Sequence, residues 1–159
     1  MDSMEGKRCF FIGHREADEE ILPLLLENVL HFITEYNVRY FYVGGYGNFD
    51  RLASRAVIAA KQSYSDIRLY LLLPYHPTER PINTPKGYDG TFYPEGMESV
   101  PRRFAITYAN RYMIDFCDCL IAFAWHPASN ALKLLKCAQR KEKAGKIHIV
   151  NLGERNNLF

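Results

Sequence analysis

Apolar residues along this chain fall into short continuous runs separated by stretches with helical spacing. Residues 8–12 (RCFFI) form such a run, too short for a helix, rich in aromatics and ending at Gly13, which reads as a first strand. Between Asp18 and Tyr36, apolar positions recur at Ile21, Leu25, Val29, Phe32 or Ile33, and Tyr36. That spacing predicts a helix, with Asp18, Glu19 and Glu20 at the positive end of its dipole and Pro23 near its first turn. Residues 39–43 (RYFYV) run straight into Gly44-Gly45-Tyr46-Gly47 as a second strand. A helix with Asn48 as N-cap follows, its packed face carrying Leu52, Ala53, Ala56, Val57 and Ala60. Residues 67–73 (IRLYLLL) make a third strand, stopped by Pro74. Helical spacing returns at Ala105, Tyr108, Ala109, Tyr112, Met113 and Phe116, before a fourth strand at 119–124 (CLIAFA). A last helix from Ser129 to Ala144, ended by Gly145, leads to a fifth strand at 147–150.

Strands alternating with helices, with continuously apolar strands, call for a parallel sheet covered on both faces. The expected fold is therefore α/β, a Rossmann-like three-layer sandwich with a five-stranded parallel sheet in the order 3-2-1-4-5, forming one domain over 1–159. Residues 1–7 stand before it as an N-terminal extension. Ligands bind such sheets beyond the carboxyl ends of the strands, where the order reverses. The loops that matter are then 13–17, 44–50, 74–78 and 125–130. The stretch 74–101, with Pro77, Pro81, Pro85, Pro94 and four aromatics, is too long for a simple connection and reads as a functional loop.

Composition narrows the classes. With 48% hydrophobic and 24% charged residues the chain is an ordinary globular one, and a net charge of +2 gives no whole-molecule field toward nucleic acid or acidic membrane. The apolar stretches Leu69 to Pro74 and Leu120 to Trp125 are far shorter than the roughly 18–20 residues of a membrane span. The first residues lack the features of a secretory signal, so a cytoplasmic location is the expectation. Cys9, Cys117, Cys119 and Cys137 read as reduced thiols, no metal-ligand spacing is present, and no cofactor is expected.

The strongest chemical signal is the glycine cluster Gly44, Gly45 and Gly47 with Tyr46 and Asn48, lying between a strand and a helix. Glycines there let backbone amides approach an anion at the helix N-terminus, or simply make a tight turn. Asp50 would repel a phosphate facing it, or accept hydrogen bonds from a ribose or from Arg15. Gly13-His14-Arg15 follows the first strand, aimed at the same crevice; Arg15 offers a planar donor fork for phosphate or an ion pair with Glu16 or Asp18. On the helix before the fourth strand, Arg103, Thr107, Asn110 and Arg111 share one side, facing a ligand, a partner or solvent. Arg111 and Asp115 have the spacing of a helix-surface pair. Ser129 and Asn130 are placed to cap the last helix and donate to a phosphate, and Trp125 to stack on a base or pack.

The segments CFFIGHR, GGYGNFDRLA, the Pro74-Tyr75 pair and RFAITYANRYMIDFCDCLIAF together resemble the YpsA-like branch of the SLOG superfamily, the Rossmann-like group that includes DprA and the LOG proteins. The resemblance runs from about Cys9 to Val150. It implies a fold that binds nucleotides or nucleotide-derived molecules, such as ADP-ribose-like ligands and cyclic signalling nucleotides, and that forms homo-oligomers. Gly13, Arg15, Gly44, Gly45, Gly47 and Asp50 match the family's ligand-binding loops. The chain departs from the LOG pattern PGG-x-GT-x-x-E, whose glutamate assists N-glycosidic cleavage: here the positions read Asn48, Phe49, Asp50 and Arg51. It also has Trp125-His126-Pro127-Ala128-Ser129-Asn130 where the family often has Gly-Gly-Thr.

Three readings follow. The first is non-catalytic sensing or sequestration of a nucleotide-derived molecule, phosphates lying on the glycine loop, Arg15 and Ser129, and Tyr75 or Trp125 covering a base. The second is a LOG-type N-glycosidase (phosphoribohydrolase), with Asp50 and Arg103 or Arg111 assisting. The third, single-stranded nucleic-acid binding through Arg102, Arg103 and Arg111, fits the low net charge least.

Overall fold

The computed structural model describes residues 6–153. Six strands form one fully parallel sheet: β1 (Lys7–Gly13), β2 (Val38–Val43), β3 (Arg68–Leu72), β4 (Gly90–Phe92), β5 (Cys119–Phe123) and β6 (His148–Asn151), in the order β4-β3-β2-β1-β5-β6. Its two faces are covered, among the described residues, by α1 (Leu22–Tyr36), α2 (Asn48–Ala60), α3 (Ala105–Phe116) and α4 (Asn130–Lys143). The arrangement is α/β and consistent with the Rossmann-like plan, but the sheet has one strand more than the five expected.

The period-2 geometry of the strands sorts their side chains onto two faces. Cys9, Phe11, Phe41, Val43, Ile121 and Phe123 point to one side and pack with Leu25, Val29 and Phe32 of α1 and Leu52, Ala53 and Val57 of α2. Phe10, Ile12, Tyr42, Leu120 and Ala122 point to the other and meet Ala109 and Met113 of α3 and Leu135 and Ala138 of α4. Each fully buried Phe or Leu in these layers contributes roughly 1.5–3 kcal/mol of burial free energy. Both halves of the sheet thus depend on β1 and β5, which pair from Cys9↔Cys119 to Gly13↔Phe123. Strand order reverses between these two, so a crevice opens where their carboxyl ends part.

The added strand corrects the expectation that 74–101 is loop throughout. β4 pairs with β3 from Tyr70↔Gly90 to Leu72↔Phe92. Asp89 fastens its start: its amide donates to the Leu69 carbonyl (2.7 Å), and its Oδ2 accepts from the Leu69 amide (2.8 Å) and Lys61 Nζ (2.7 Å). Three residues including a glycine carry no periodic signal, so only the open edge of β3 makes this segment a strand. The aromatics of 88–93 are used within the chain. Phe92 lies against Tyr42 and stacks on Phe116, and Tyr88 packs against the core. Lys7 belongs to β1, and the rest of the N-terminal extension, apart from Gly6, lies outside the described residues. Among the described residues no helix is long and apolar enough to cross a membrane.

Candidate functional site

Beyond the carboxyl ends of β1 and β5 lies a cavity of about 640 Å³, within the range of small-molecule sites. Its walls come from the turn after β1 (Gly13, His14, Arg15, Glu16), the turn after β2 (Gly44, Tyr46) with Asp50 in the first turn of α2, Pro74 after β3, the 3-10 turn leading into α3 (Arg103), one side of α3 (Thr107, Asn110, Arg111) and the start of α4 (Ser129, Asn130, Lys133). The fold therefore collects most of the residues singled out from the sequence. Gly45, Gly47, Asn48, Tyr75 and Trp125 are not among the lining residues.

Two glycines shape the turns. A β-carbon on Gly13 would lie 2.3 Å from Phe49 Cγ, so the strand end can approach the buried Phe49 ring only without a side chain. Gly47 has φ 128°, and a β-carbon there would also meet the Arg15 backbone at 2.8 Å. The missing side chain lets the two turns lie against each other, and the Asn48 amide ties them by donating to the Arg15 carbonyl (2.8 Å). Gly47, rather than Asn48, is the N-cap of α2. Asn48 is the first helical residue, and its side-chain amide donates to the Ala17 carbonyl.

Amides of the glycine loop are thus partly committed. The Tyr46 amide donates to Asp50 Oδ2 (3.1 Å), while the Asn48 amide is taken by Arg15. Weight for anion binding moves from the loop backbone to side chains. Arg15, Arg103, Arg111 and Lys133 all line the cavity, and none has an ion pair or side-chain hydrogen bond among the described residues; the Arg103 guanidinium lies over the Phe104 ring at 4.8 Å. Asp115, spaced for a pair with Arg111, is bridged by Lys141 instead. Lys133 was not legible as a site residue, because one lysine in a lysine-rich helix looks solvated. The only signal is its position four residues after Ser129, on the same helix face.

Against these four cations stand two carboxylates, Glu16 and Asp50. Burial pushes the Asp50 carboxyl up to about 6, although the Tyr46 amide and the Arg15 charge pull it down. His14 is 9% exposed and its Nε2 accepts from the amides of Trp125 (3.0 Å) and His126 (3.3 Å). The ring proton therefore resides on Nδ1. Burial, then the neighbouring His126, lower the His14 pKa, with Glu16 opposing. The loop after β5 is held from the other side by Asn151, whose Oδ1 accepts from the Ala124 amide (3.1 Å) and whose Nδ2 donates to the Ala124 carbonyl (2.9 Å). Ser129 caps α4, accepting from the Leu132 amide (3.1 Å) and donating to the His126 carbonyl (2.8 Å).

The two aromatic candidates lie apart from the cationic wall. Tyr75 sits beneath the guanidinium groups of Arg80 (4.3 Å) and Arg102 (5.1 Å), and Arg102 is also bridged to Glu79. Trp125 stands edge-on to His14, with 5.1 Å between ring centroids, and lines a second, adjoining cavity of about 470 Å³.

No family model matches the chain, and no curated protein matches it either.

Proposed function

We propose that the protein binds a nucleotide-derived, phosphate-bearing small molecule in the cavity at the ends of β1 and β5, as a sensor or sequestering module without catalysis. The observation that carries this reading is the convergence of Arg15, Arg103, Arg111 and Lys133 on one cavity, none of them in a salt bridge among the described residues, against two carboxylates in the same wall. Surface cations usually pair or spread; four unpaired ones around a single concavity leave a positive field that an anion would neutralise. The Ser129 end of α4 adds the positive end of a helix dipole. The resemblance to the SLOG superfamily, with its nucleotide-derived ligands, agrees with this class of ligand and with a homo-oligomer. Mass analysis of small molecules released from gently purified protein tests the reading directly. A phosphorylated, base-containing compound at near-stoichiometric yield supports it. Protein that releases none and binds no phosphorylated compound by calorimetry overturns it.

A second reading has one observation in its favour. A carboxyl with its pKa raised to about 6, facing a cationic cavity with a second carboxylate in its wall, has the protonation range of a general acid. Under this reading Asp50 would assist N-glycosidic cleavage, with Arg103 and Arg111 holding the phosphate. Incubation with purine nucleoside monophosphates and ADP-ribose derivatives distinguishes the two, since multiple-turnover release of free base belongs to the enzyme alone.

A further inference from the structure

The two cavities are neighbours that share four wall residues, His14, Glu16, Ala128 and Ser129. Their chemistry is opposite. The first carries four Lys and Arg side chains. The second carries none, and has Glu16 and Asp18 together with Phe123, His126 and Trp125. A phosphate would be repelled from the second cavity, whereas a flat ring bearing amino groups would find aromatic faces and carboxylate acceptors there. Trp125 is 43% exposed, a large ring left partly uncovered in a wall otherwise built of loops fixed by His14 and Asn151.

We infer that the two cavities take the two ends of one elongated, polar ligand: phosphate beside Arg15, Arg111 and Lys133, and an amino-substituted heteroaromatic ring against Trp125 between Glu16 and Asp18. This rests on the anion-binding reading of the first cavity and extends it to the rest of the molecule. Trp125 then sets specificity for the ring, and the cations supply affinity common to any phosphate.

The chain has a single tryptophan and it lines the second cavity and not the first, so its fluorescence reports on occupancy beside that ring. Full-length protein is titrated with adenosine diphosphate, ribose 5-phosphate and inorganic pyrophosphate, following heat by calorimetry and Trp125 emission with excitation at 295 nm. All three are expected to bind, adenosine diphosphate at least about fivefold more tightly than pyrophosphate, since stacking of a base on an aromatic ring is worth that much or more. Only adenosine diphosphate changes the emission. Trp125→Ala brings its affinity down to that of pyrophosphate and leaves pyrophosphate binding unchanged, and Trp125→Phe restores most of the difference. Pyrophosphate binding with no advantage for adenosine diphosphate, or an advantage that survives Trp125→Ala, overturns this inference and leaves the first reading standing. Failure of all three probes to bind overturns both.

Discussion

Replacing Asp50 by Asn tests whether the site stores unfavourable charge. The carboxyl is lifted from 3.8 to about 6 by burial, so keeping it ionised at neutral pH costs the fold up to ~3 kcal/mol at 1.36 kcal/mol per pH unit. Asp50 opens onto the cavity, where solvent reduces that cost, so a gain of ~1–3 kcal/mol is expected for Asp50→Asn at pH 8. The Asn carbonyl still accepts from the Tyr46 amide, which isolates the charge. For a domain of this size the gain corresponds to a rise of roughly 3–10 °C in Tm. The sign with pH follows from a folded pKa above the unfolded one. The favourable, protonated form is fully populated below about 3.8 and lost as pH rises through about 6. The advantage of the variant over the parent is therefore largest above pH 7 and falls by roughly half at pH 5. Thermal melts followed by circular dichroism at pH 5, 6, 7 and 8 measure it. An advantage that does not change with pH, or a loss of stability at pH 8, would show that Asp50 is neither strained nor held charged at a cost. A carboxylate kept ionised against such a cost is a mark of a functional site.

Gly13→Ala is expected to destabilise the fold by ~1–3 kcal/mol in urea unfolding, because the new methyl would overlap the buried Phe49 ring; an unchanged midpoint would mean the turn adapts freely. His14 titrates in the opposite sense to Asp50. Its pKa is lowered in the fold, so the stability it gives is present above its unfolded value of about 6.5 and is lost as pH falls through the folded pKa. His14→Gln, whose carbonyl can accept the same two amides, should lack that loss, and the comparison of its pH–stability curve with the parent's reads it out. Arg111→Gln with Lys133→Gln should leave Tm within about 2 °C, as neither side chain has a protein partner among the described residues, while weakening pyrophosphate binding severalfold with a shallower salt dependence. Ser129→Ala should cost ~1 kcal/mol through the lost α4 cap, measured by chemical denaturation.

The amino-acid order alone carried five strands and four helices, because runs of apolar residues and 3.6-residue spacing are local properties that each segment displays by itself, and the right-handedness of crossovers in a parallel sheet then set the relative order of those strands. It also pointed to the turns around Gly13 and Gly44 and to the Arg103–Arg111 face, since strand-end loops beside a chain reversal must converge in a parallel sheet. Tertiary contact decided the rest. β4 exists because Asp89 and the bare edge of β3 hold three unremarkable residues in line. The glycine loop lost amides to Asp50 and Arg15, and Lys133 and Asn151 gained roles that their neighbours in sequence do not foreshadow. Tyr75 went beneath two arginines and Trp125 to a separate cavity. Local pattern specifies which backbone shape a segment takes; which charges end up paired, buried or facing empty space depends on residues brought together from distant parts of the chain.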